Sequence, residues 1–468
     1  MVETPQKREA DAIFYELTRS ICPTCRSVID AQILLRDNKV YMRKRCSEHG
    51  WFEGLIYSDA VLYANSLRYN KPGTIPLAFS TEVKAGCPYD CGLCPEHKQH
   101  ACLGIIEVNT GCNLACPVCF ANAGEGYNLT VDEVERMLDR FVECEGEGEV
   151  IQFSGGEPTI HPEILTMLRA AKRRPIKYVM LNTNGLRIAR DERFVTRLAE
   201  IAPTIYLQFD GLLAETSIRL RGRDLVDEKC RALDRLAQVG LKAILVAAIE
   251  RGVNEHEVGP LVRFALAHPA VRGITFQPVT HVARHLPFDP MERMTIPDVI
   301  RGIEAQTGGL FVKEDFVPVP CCFPTCSSVT YAYLDGQRVT PLPRVLDVQA
   351  HLDYITNRTV PELSAQVRRA LEGLWSASAI PGTERAANQF SCASCGLDLD
   401  LEAPDLVDRI FMITIKDFMD AYTFNVKSLM KCCVEVLVPD GRMIPFCAYN
   451  TVGYREQIRA QLSARGRR

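Results

Sequence analysis

The feature that most constrains this chain is a run of three cysteines, Cys112-Asn-Leu-Ala-Cys116-Pro-Val-Cys119. Thiolates at this spacing can hold three irons of a cubane cluster and leave the fourth iron open for a small molecule. A zinc site is the alternative that the motif alone leaves open. Residues 104–109 have the pattern of a short buried strand, and residues 130–144 have that of an amphipathic helix with Thr130 as its N-cap. The cysteines therefore lie on a strand-to-helix loop, where β/α barrels carry their chemistry.

This motif resembles that of the radical S-adenosylmethionine (SAM) superfamily. The resemblance implies that the open iron chelates the amine and carboxylate of SAM, and that the reduced cluster cleaves SAM to a 5′-deoxyadenosyl radical. Cys112, Cys116 and Cys119 are then the catalytic cluster ligands. One residue departs from the usual pattern, because most members have an aromatic residue where this chain has Val118.

Strands and helices alternate through residues 104–280, which we assign to the barrel domain. After the first strand, the patterns predict strands at 149–153, 177–181, 204–209, 241–249 and 273–277, separated by helices near 161–173, 191–201, 226–240 and 254–268. Such alternation predicts an α/β fold with a parallel sheet and right-handed crossovers. Six units fit a partial (β/α)6 barrel, and the family resemblance implies that the barrel is open on one side.

Polar motifs follow several of these strands and are candidates for binding SAM. The resemblance implies that Gly155, Gly156 and Glu157 bind its amino group, since glycines let the backbone approach a ligand and expose N–H groups. Further candidates at later strand ends are Asn182, Asn184, Gln208 and Asp210, with Glu250, Asn254 and Gln277 as weaker ones. One of Arg221 and Arg223, with Arg223 our candidate, is expected to form a fork to a carboxylate; a solvated helix terminus is the alternative for both.

The chain of 468 residues contains 20 cysteines, most of them in short groups. No apolar signal region is visible at the N-terminus and no apolar run reaches the length of a membrane span. We therefore expect a cytoplasmic protein, in which grouped cysteines bind metal and do not form disulfides. Cys144 and Cys230 stand alone and are expected to be packed thiols. The net charge of −4 gives no basic field for nucleic acid.

The N-terminal domain, residues 1–85, is predicted to hold one metal ion. Cys22 and Cys25 precede a β-hairpin that turns at residues 37–38, and Cys46 and His49 follow the hairpin. This pattern is typical of a zinc-ribbon or rubredoxin-like site, and both zinc and mononuclear iron fit it. The alternative is that His49 lies on the surface and a distant cysteine is the fourth ligand.

Residues 86–103 repeat the cysteine spacing of the SAM motif. Cys87, Cys91 and Cys94 lie in a loop rich in glycine and proline, with no strand before it, so we expect an auxiliary [4Fe–4S] site and not the SAM site. Cys102 is the expected fourth ligand. His97 and His100 are alternatives to it, although an ordinary polar surface position is the preferred interpretation for each of them.

The C-terminal region, residues 281–468, is predicted to be a cysteine-rich α+β domain with auxiliary metal sites. A hairpin turning at residues 439–441 would place Cys433 opposite Cys447, and it would point Cys432 and Cys433 to different sites. Two four-cysteine sites and one cluster with spare thiols are both compatible with the count. Residues 345–390 are expected to be helical, as a cover over the barrel or as a spacer. The candidate ligands are Cys321, Cys322, Cys326, Cys392, Cys395, Cys432, Cys433 and Cys447.

The order of these motifs along the whole chain resembles the archaeal tetraether lipid synthase family and its bacterial relatives. The resemblance implies auxiliary [4Fe–4S] clusters, a mononuclear iron, a low-potential donor of the flavodoxin or ferredoxin kind, and C–C coupling of unactivated lipid chains. A hydrophobic substrate would bring the protein to the membrane surface as a peripheral protein. Two alternatives remain open: a radical SAM C-methyltransferase that acts on a pterin, and a non-enzymatic iron–sulfur scaffold or electron carrier.

Overall fold

The N-terminal part of the chain forms a four-stranded antiparallel sheet. The computed structural model describes residues 11–336, 338–344 and 409–465. The first sheet consists of β1 (Ile13–Ile21), β2 (Val28–Arg36), β3 (Lys39–Cys46) and β4 (Gly50–Tyr57), and α1 (Ala60–Leu67) follows it. Asp37 and Asn38 both have positive φ angles, 51° and 55°, which is the turn geometry that a two-residue hairpin favours. The predicted hairpin therefore forms at the expected turn.

The barrel follows as six parallel strands with helices between them. Its strands are β5 (Leu103–Asn109), β6 (Gly148–Gly155), β7 (Ile176–Thr183), β8 (Thr204–Gln208), β9 (Ala243–Ile249) and β10 (Val271–Pro278). Its helices are α2 (Val131–Glu145), α3 (Ile164–Lys172), α4 (Leu186–Arg190), α5 (Glu192–Ala199), α6 (Ala214–Arg221), α7 (Val226–Gln238) and α8 (Val258–Ala267). The strands pair in sequence order and in parallel, which confirms the predicted α/β class and partial barrel.

Local sequence explains why α2 forms where it does. Thr130 caps the helix, and its side chain and that of Glu133 form a reciprocal capping box. Val134, Leu138 and Phe141 are spaced three and four residues apart and are fully buried against the sheet. This helix fixes the far end of the loop that carries Cys112, Cys116 and Cys119. The short helices α4, of five residues, and α6, of eight residues, were not predicted, because each is shorter than the roughly 10 residues of periodic pattern that distinguish a helix.

Residues after the barrel extend the same sheet at both edges. The remaining elements are α9 (Ile296–Thr307), β11 (Val317–Pro318), β12 (Ser327–Asp335), β13 (Arg338–Pro341), β14 (Ile410–Lys416), α10 (Val426–Leu429), β15 (Val434–Leu437), β16 (Met443–Pro445), α11 (Phe446–Thr451) and α12 (Tyr454–Arg465). β14 pairs in parallel with β10, and β15 pairs in parallel with β5. The C-terminal strands therefore complete the wall of the barrel on either side.

The first sheet, β1 to β4, is called the ribbon sheet below, and buried polar contacts hold it to the C-terminal region. The Lys44 ammonium group donates to Ser20 Oγ at 2.9 Å and to the Tyr422 carbonyl at 3.1 Å. Thr18 Oγ1 donates to Asn425 Oδ1 at 2.8 Å. Within the described ranges, no helix is long and apolar enough to span a membrane. The predicted helical region 345–390 lies outside the described residues, and the predicted domain boundaries remain predictions.

Candidate active site and metal centres

One cavity of about 290 Å³ lies inside the barrel and brings most of the predicted SAM-site residues together. All three cysteines of the central motif line it. Residues at the ends of β6, β7 and β8 form the adjoining wall. The predicted residues on this wall are Gly155, Gly156, Glu157, Asn182, Asn184 and Gln208.

The three thiols lie on the loop between β5 and α2. Cys112 Sγ accepts a hydrogen bond from the Leu114 amide at 3.4 Å, and Cys119 Sγ accepts one from the Ala123 amide at 3.4 Å. Burial raises the pKa of Cys112 to about 11 and also raises that of Cys116. Metal binding at this site must therefore release protons. Three thiols on one loop, open to a cavity, are a donor set that fits a [4Fe–4S] cluster with one free iron.

The glycine pair is required by a close approach to the cysteine loop. A Cβ atom at Gly155, whose φ is +139°, would lie 2.3 Å from the Asn109 carbonyl oxygen, and one at Gly156 would lie 2.1 Å from the Gly111 carbonyl oxygen. The Gly156 amide donates to the Asn109 carbonyl at 2.9 Å. The expectation that both N–H groups are exposed to a ligand is therefore wrong for Gly156, since its N–H group is bonded to the last residue of β5.

Glu157 connects the ends of β6 and β7. Its carboxylate accepts hydrogen bonds from Thr159 Oγ1 at 2.6 Å, from Thr183 Oγ1 at 2.7 Å and from the Asn184 amide at 2.7 Å. Glu157 is 1% exposed. Because its oxygens are occupied by these donors, the side chain fixes two loops of the cavity wall relative to each other.

Of the two arginines considered from the sequence, Arg221 lines the cavity and the predicted Arg223 does not. Arg221 Nε and Nη2 donate to the two carboxylate oxygens of Asp210 at 2.7 and 2.6 Å, and Nη1 donates to the Val118 carbonyl at 2.9 Å. Arg223 is exposed and does not line the cavity, because it follows Gly222, at which α6 ends. The predicted residue Asp210 is buried and does not line the cavity itself. Burial would raise the pKa of Asp210, but Arg221 holds it below its usual value.

The amide side chains of the wall form a network with a lysine that the sequence motifs did not indicate. Asn184 Nδ2 donates to Asn113 Oδ1 at 2.7 Å, and Asn182 Nδ2 donates to Ser154 Oγ at 3.2 Å. The ammonium group of Lys229, on α7, donates to Gln208 Oε1 at 2.9 Å and to the Asn184 carbonyl. Burial lowers the pKa of Lys229 to about 8.

The weaker candidates divide between the cavity and the protein interior. Gln277 lines the cavity. Asn254 lies behind the wall, where Nδ2 donates to the Asp210 carbonyl at 2.8 Å. Glu250 does not line the cavity and lies 3.4 Å from His281 Nε2.

C-terminal residues also reach the cavity, which the sequence alone did not predict. Arg455, on α12, forms a two-pronged ion pair with Glu107 of β5 at 2.7 Å, and both residues line the cavity. Arg455 Nη1 donates to the Ala121 carbonyl at 3.2 Å, and Arg459 Nη1 donates to the Asn122 carbonyl at 2.8 Å. The last helix therefore holds the loop that follows the cluster cysteines.

The N-terminal sheet brings four candidate ligands together as the sequence predicted. The ligand atoms of Cys22, Cys25, Cys46 and His49 all lie within 4.8 Å of one another. Cys25 Sγ and Cys46 Sγ are 3.9 Å apart, and His49 Nδ1 lies 3.4 Å from Cys46 Sγ. This donor set fits a single tetrahedral ion, with the exposed side chain of His49 as the fourth candidate ligand.

The second cysteine triplet surrounds a small gap next to His97. Cys87, Cys91 and Cys94 line this gap together with His97, whose Nε2 lies 2.7 Å from the Cys432 carbonyl oxygen. The predicted fourth ligand, Cys102, lies elsewhere, because it immediately precedes β5 and its thiol joins the C-terminal cysteines. His100 is hydrogen-bonded to Glu145 at 2.9 Å.

The C-terminal cysteines separate into different environments. Cys321 and Cys433 form a buried group with Cys102, in which all sulfur atoms lie within 4.8 Å of one another. Cys432 lies outside this group, in line with its predicted opposite orientation. Cys447, predicted opposite Cys433, accepts from the Met419 amide at 3.4 Å. Cys326 is partly buried near Cys322 and Cys447. Cys392 and Cys395 lie outside the described residues.

Two family profiles match the chain in the regions that carry these sites. The profile of the radical SAM superfamily matches residues 106–265, which contain the central motif and most of the barrel. The profile of the HMPTM N-terminal zinc ribbon domain matches residues 14–58, which contain the four N-terminal ligands.

Individual relatives agree with these profiles. The 7,8-dihydro-6-hydroxymethylpterin dimethyltransferase of Methanocaldococcus jannaschii is 34% identical over 95% of this chain and 95% of its own length. A GTP 3′,8-cyclase of Chlorobaculum tepidum is 32% identical over 37% of this chain and 53% of its own length. A crystal structure of Streptococcus suis SuiB bound to precursor peptide SuiA aligns with this chain at 20% identity and a TM-score of 0.38. The aligned part is 45% of this chain and 46% of the SuiB chain.

The similarity to the dimethyltransferase corrects one prediction. The lipid-coupling function implied by the resemblance to tetraether lipid synthases is wrong, because a methyltransferase matches nearly the whole chain at 34% identity. The similarity therefore does not support the predicted lipid substrate either.

Proposed function

We propose, from the premise that this chain belongs to the radical SAM superfamily and within it to the family of the 7,8-dihydro-6-hydroxymethylpterin dimethyltransferase, that it transfers methyl groups to carbon atoms of a reduced pterin. This was the alternative that the sequence left open. The relative's substrate supplies the class of molecule, and the chemistry of the cavity wall supports it.

The observation that carries the proposal is a group of polar side chains on the inner wall of the cavity, which is otherwise largely apolar. The polar residues Tyr206 of β8, Thr275 and Gln277 of β10, and Thr414 of β14 line it, and Gln277 Nε2 donates to the Tyr206 hydroxyl at 3.3 Å. Thr414 Oγ1 is buried without a hydrogen-bond partner. An alkyl chain would leave such groups unpaired, whereas the amide and amine edges of a pterin offer them donors and acceptors.

The cofactor end of the cavity has a different composition. As a radical SAM enzyme, the protein uses a [4Fe–4S] cluster and SAM, which supply a 5′-deoxyadenosyl radical after one-electron reduction. In our proposal, Cys112, Cys116 and Cys119 hold the cluster, while Gly156 and Asn184 shape the wall against which SAM binds. Arg221 gives this end a positive charge that faces Cys116 and that Asp210 holds in place. The reductant we propose is a flavodoxin- or ferredoxin-like donor.

The test is an anaerobic assay of the reconstituted enzyme with dithionite, a reduced 6-hydroxymethylpterin, SAM as the radical source, and a separate one-carbon donor that supplies the added carbon, either further SAM or a reduced folate that carries a methylene group. We expect 5′-deoxyadenosine and a pterin product heavier by one CH₂ for each methyl group added. Cys112→Ala is the matched control, since it removes a proposed cluster ligand and is expected to abolish both products.

Formation of 5′-deoxyadenosine without any change in the mass of the pterin would overturn the substrate assignment. The absence of 5′-deoxyadenosine from fully iron-loaded protein would overturn the enzymatic proposal as a whole. Omission of the pterin provides the background rate of uncoupled SAM cleavage.

A further inference from the structure

We propose that Cys102, Cys321, Cys322 and Cys433 bind a single zinc or iron(II) ion, separate from the ion of the N-terminal ribbon. Three of these thiols lie within 4.8 Å of one another, and the sulfur atoms of Cys321 and Cys433 are 3.9 Å apart. Cys322 contacts both Cys321 and Cys433. All four side chains are buried, with exposures between 0% and 3%.

The sulfur atoms of Cys102, Cys321 and Cys433 have the spacing of a mononuclear site, and Cys322, which contacts Cys321 and Cys433, completes the ligand set in our proposal. Four thiolates at about 2.3 Å from one tetrahedral ion lie roughly 3.8 Å from each other. The ribbon ligands Cys25 and Cys46 show the same separation, 3.9 Å. In a cubane, each thiolate binds a different iron, so the sulfur atoms lie further apart.

The cysteine triplets of the same chain provide an internal comparison. Among the described residues, only the ribbon ligands and the group of Cys102, Cys321 and Cys433 form sets of three or more ligand atoms within 4.8 Å. The SAM-motif triplet and the 87/91/94 triplet do not form such a set. The core group therefore resembles the ribbon site in its spacing and differs from the sites predicted to hold cubanes.

The surroundings compensate the charge of such a site. A divalent ion with four thiolates carries a net charge of −2, which is costly to bury without a counter-charge. Lys416, at the end of β14, is partly buried, and its ammonium group lies 3.9 Å from Cys322 Sγ, where it supplies a positive charge next to the site.

The four ligands come from distant parts of the chain that meet at the edge of the barrel. Cys102 precedes β5, Cys433 precedes β15, and Cys321 and Cys322 lie between β11 and β12. The Leu103 amide donates to the Cys433 carbonyl at 3.0 Å. An ion here would tie the two edges of the sheet together, and three of its ligands also line the cavity that contains the SAM-motif cysteines.

The test measures zinc, iron and acid-labile sulfide in chelator-washed, anaerobically purified full-length protein. A cubane contains equal amounts of iron and sulfide, so the excess of metal over sulfide counts mononuclear ions whatever the number of clusters. The ribbon and the core site together predict an excess of about two atoms per chain. An excess of about one in the wild-type protein would overturn the proposal.

A cysteine variant assigns the second ion to these thiols. Cys321→Ser is expected to lower the metal excess by about one atom per chain and to leave sulfide unchanged. A loss of about four irons together with four sulfides would show a cubane instead and overturn the proposal. An unchanged metal content would overturn it as well. Cys144→Ala, which replaces a buried thiol outside these groups, is the matched control; the wild-type count remains decisive if Cys321→Ser fails to fold.

Discussion

At the scale of single residues, the contact between the glycine pair and the cysteine loop is the most sensitive point of the proposed SAM site. A Cβ atom at Gly156 would lie 2.1 Å from the Gly111 carbonyl oxygen and 2.4 Å from the Thr110 carbonyl oxygen, and both are backbone atoms that cannot rotate away. We expect Gly156→Ala to cost at least about 2 kcal/mol through overpacking and to impair SAM cleavage.

The control for this substitution is Gly124, which lies in the cysteine loop that Gly156 contacts. An added Cβ at Gly124 would meet nothing within 4 Å, so Gly124→Ala should change stability by less than about 0.5 kcal/mol. Thermal unfolding and 5′-deoxyadenosine formation measure both variants. Equal behaviour of the two variants would contradict the role assigned to the close approach.

A second prediction at this scale concerns the buried ammonium group of Lys229. Burial lowers its pKa from 10.5 to about 8, so between these values the unfolded chain binds more protons than the folded protein. Stability contributed through this group therefore rises with pH across that window, by up to about 3 kcal/mol. Comparison of denaturant unfolding of wild type and Lys229→Met at pH 7.5 and pH 10 isolates this slope. A constant difference between the two proteins would contradict it.

Sequence reasoning worked for residues that follow their strands directly and failed for those brought in from a distance. Gly155, Glu157 and Asn182 belong to short motifs at strand ends, so the parallel sheet alone places them at one edge. Arg455 pairs with Glu107, which is 348 positions away in the sequence, and no local sequence pattern predicts such a contact. Arg221 and Arg223 are two residues apart, and only the end of α6 decides which one faces the cavity.

At the scale of elements, α12 supports the active-site loop from the C-terminal end of the chain. Arg455 is 4% exposed and pairs with the buried Glu107 on β5. Removal of one partner of such a pair leaves an unpaired buried charge, so we expect Arg455→Met to cost about 3–5 kcal/mol. The double variant with Glu107→Gln should recover part of this loss, because the stranded charge is then removed.

Denaturant unfolding of the two single variants and the double variant measures this coupling. Additive losses would show that the two side chains act independently, which would contradict the ion pair as the contact that anchors α12. The element itself was not predicted, and neither was the pairing of β14 with β10, since sequence periodicity indicates a strand without indicating its neighbour.

At the scale of the whole molecule, the ribbon and the barrel are expected to be separable in function. The ribbon ligands do not line the cavity, and the ribbon sheet contacts the remainder of the protein through groups such as Lys44 and Thr18. A structural ion mainly stabilises the fold around it. We therefore expect Cys22→Ser to lose the ribbon ion and lower the temperature of unfolding, while SAM cleavage with dithionite stays within a factor of about two of wild type. Metal analysis, thermal unfolding and 5′-deoxyadenosine formation test this on one preparation; loss of SAM cleavage with unchanged sulfide would show that the ribbon ion acts on the barrel, contrary to this separation.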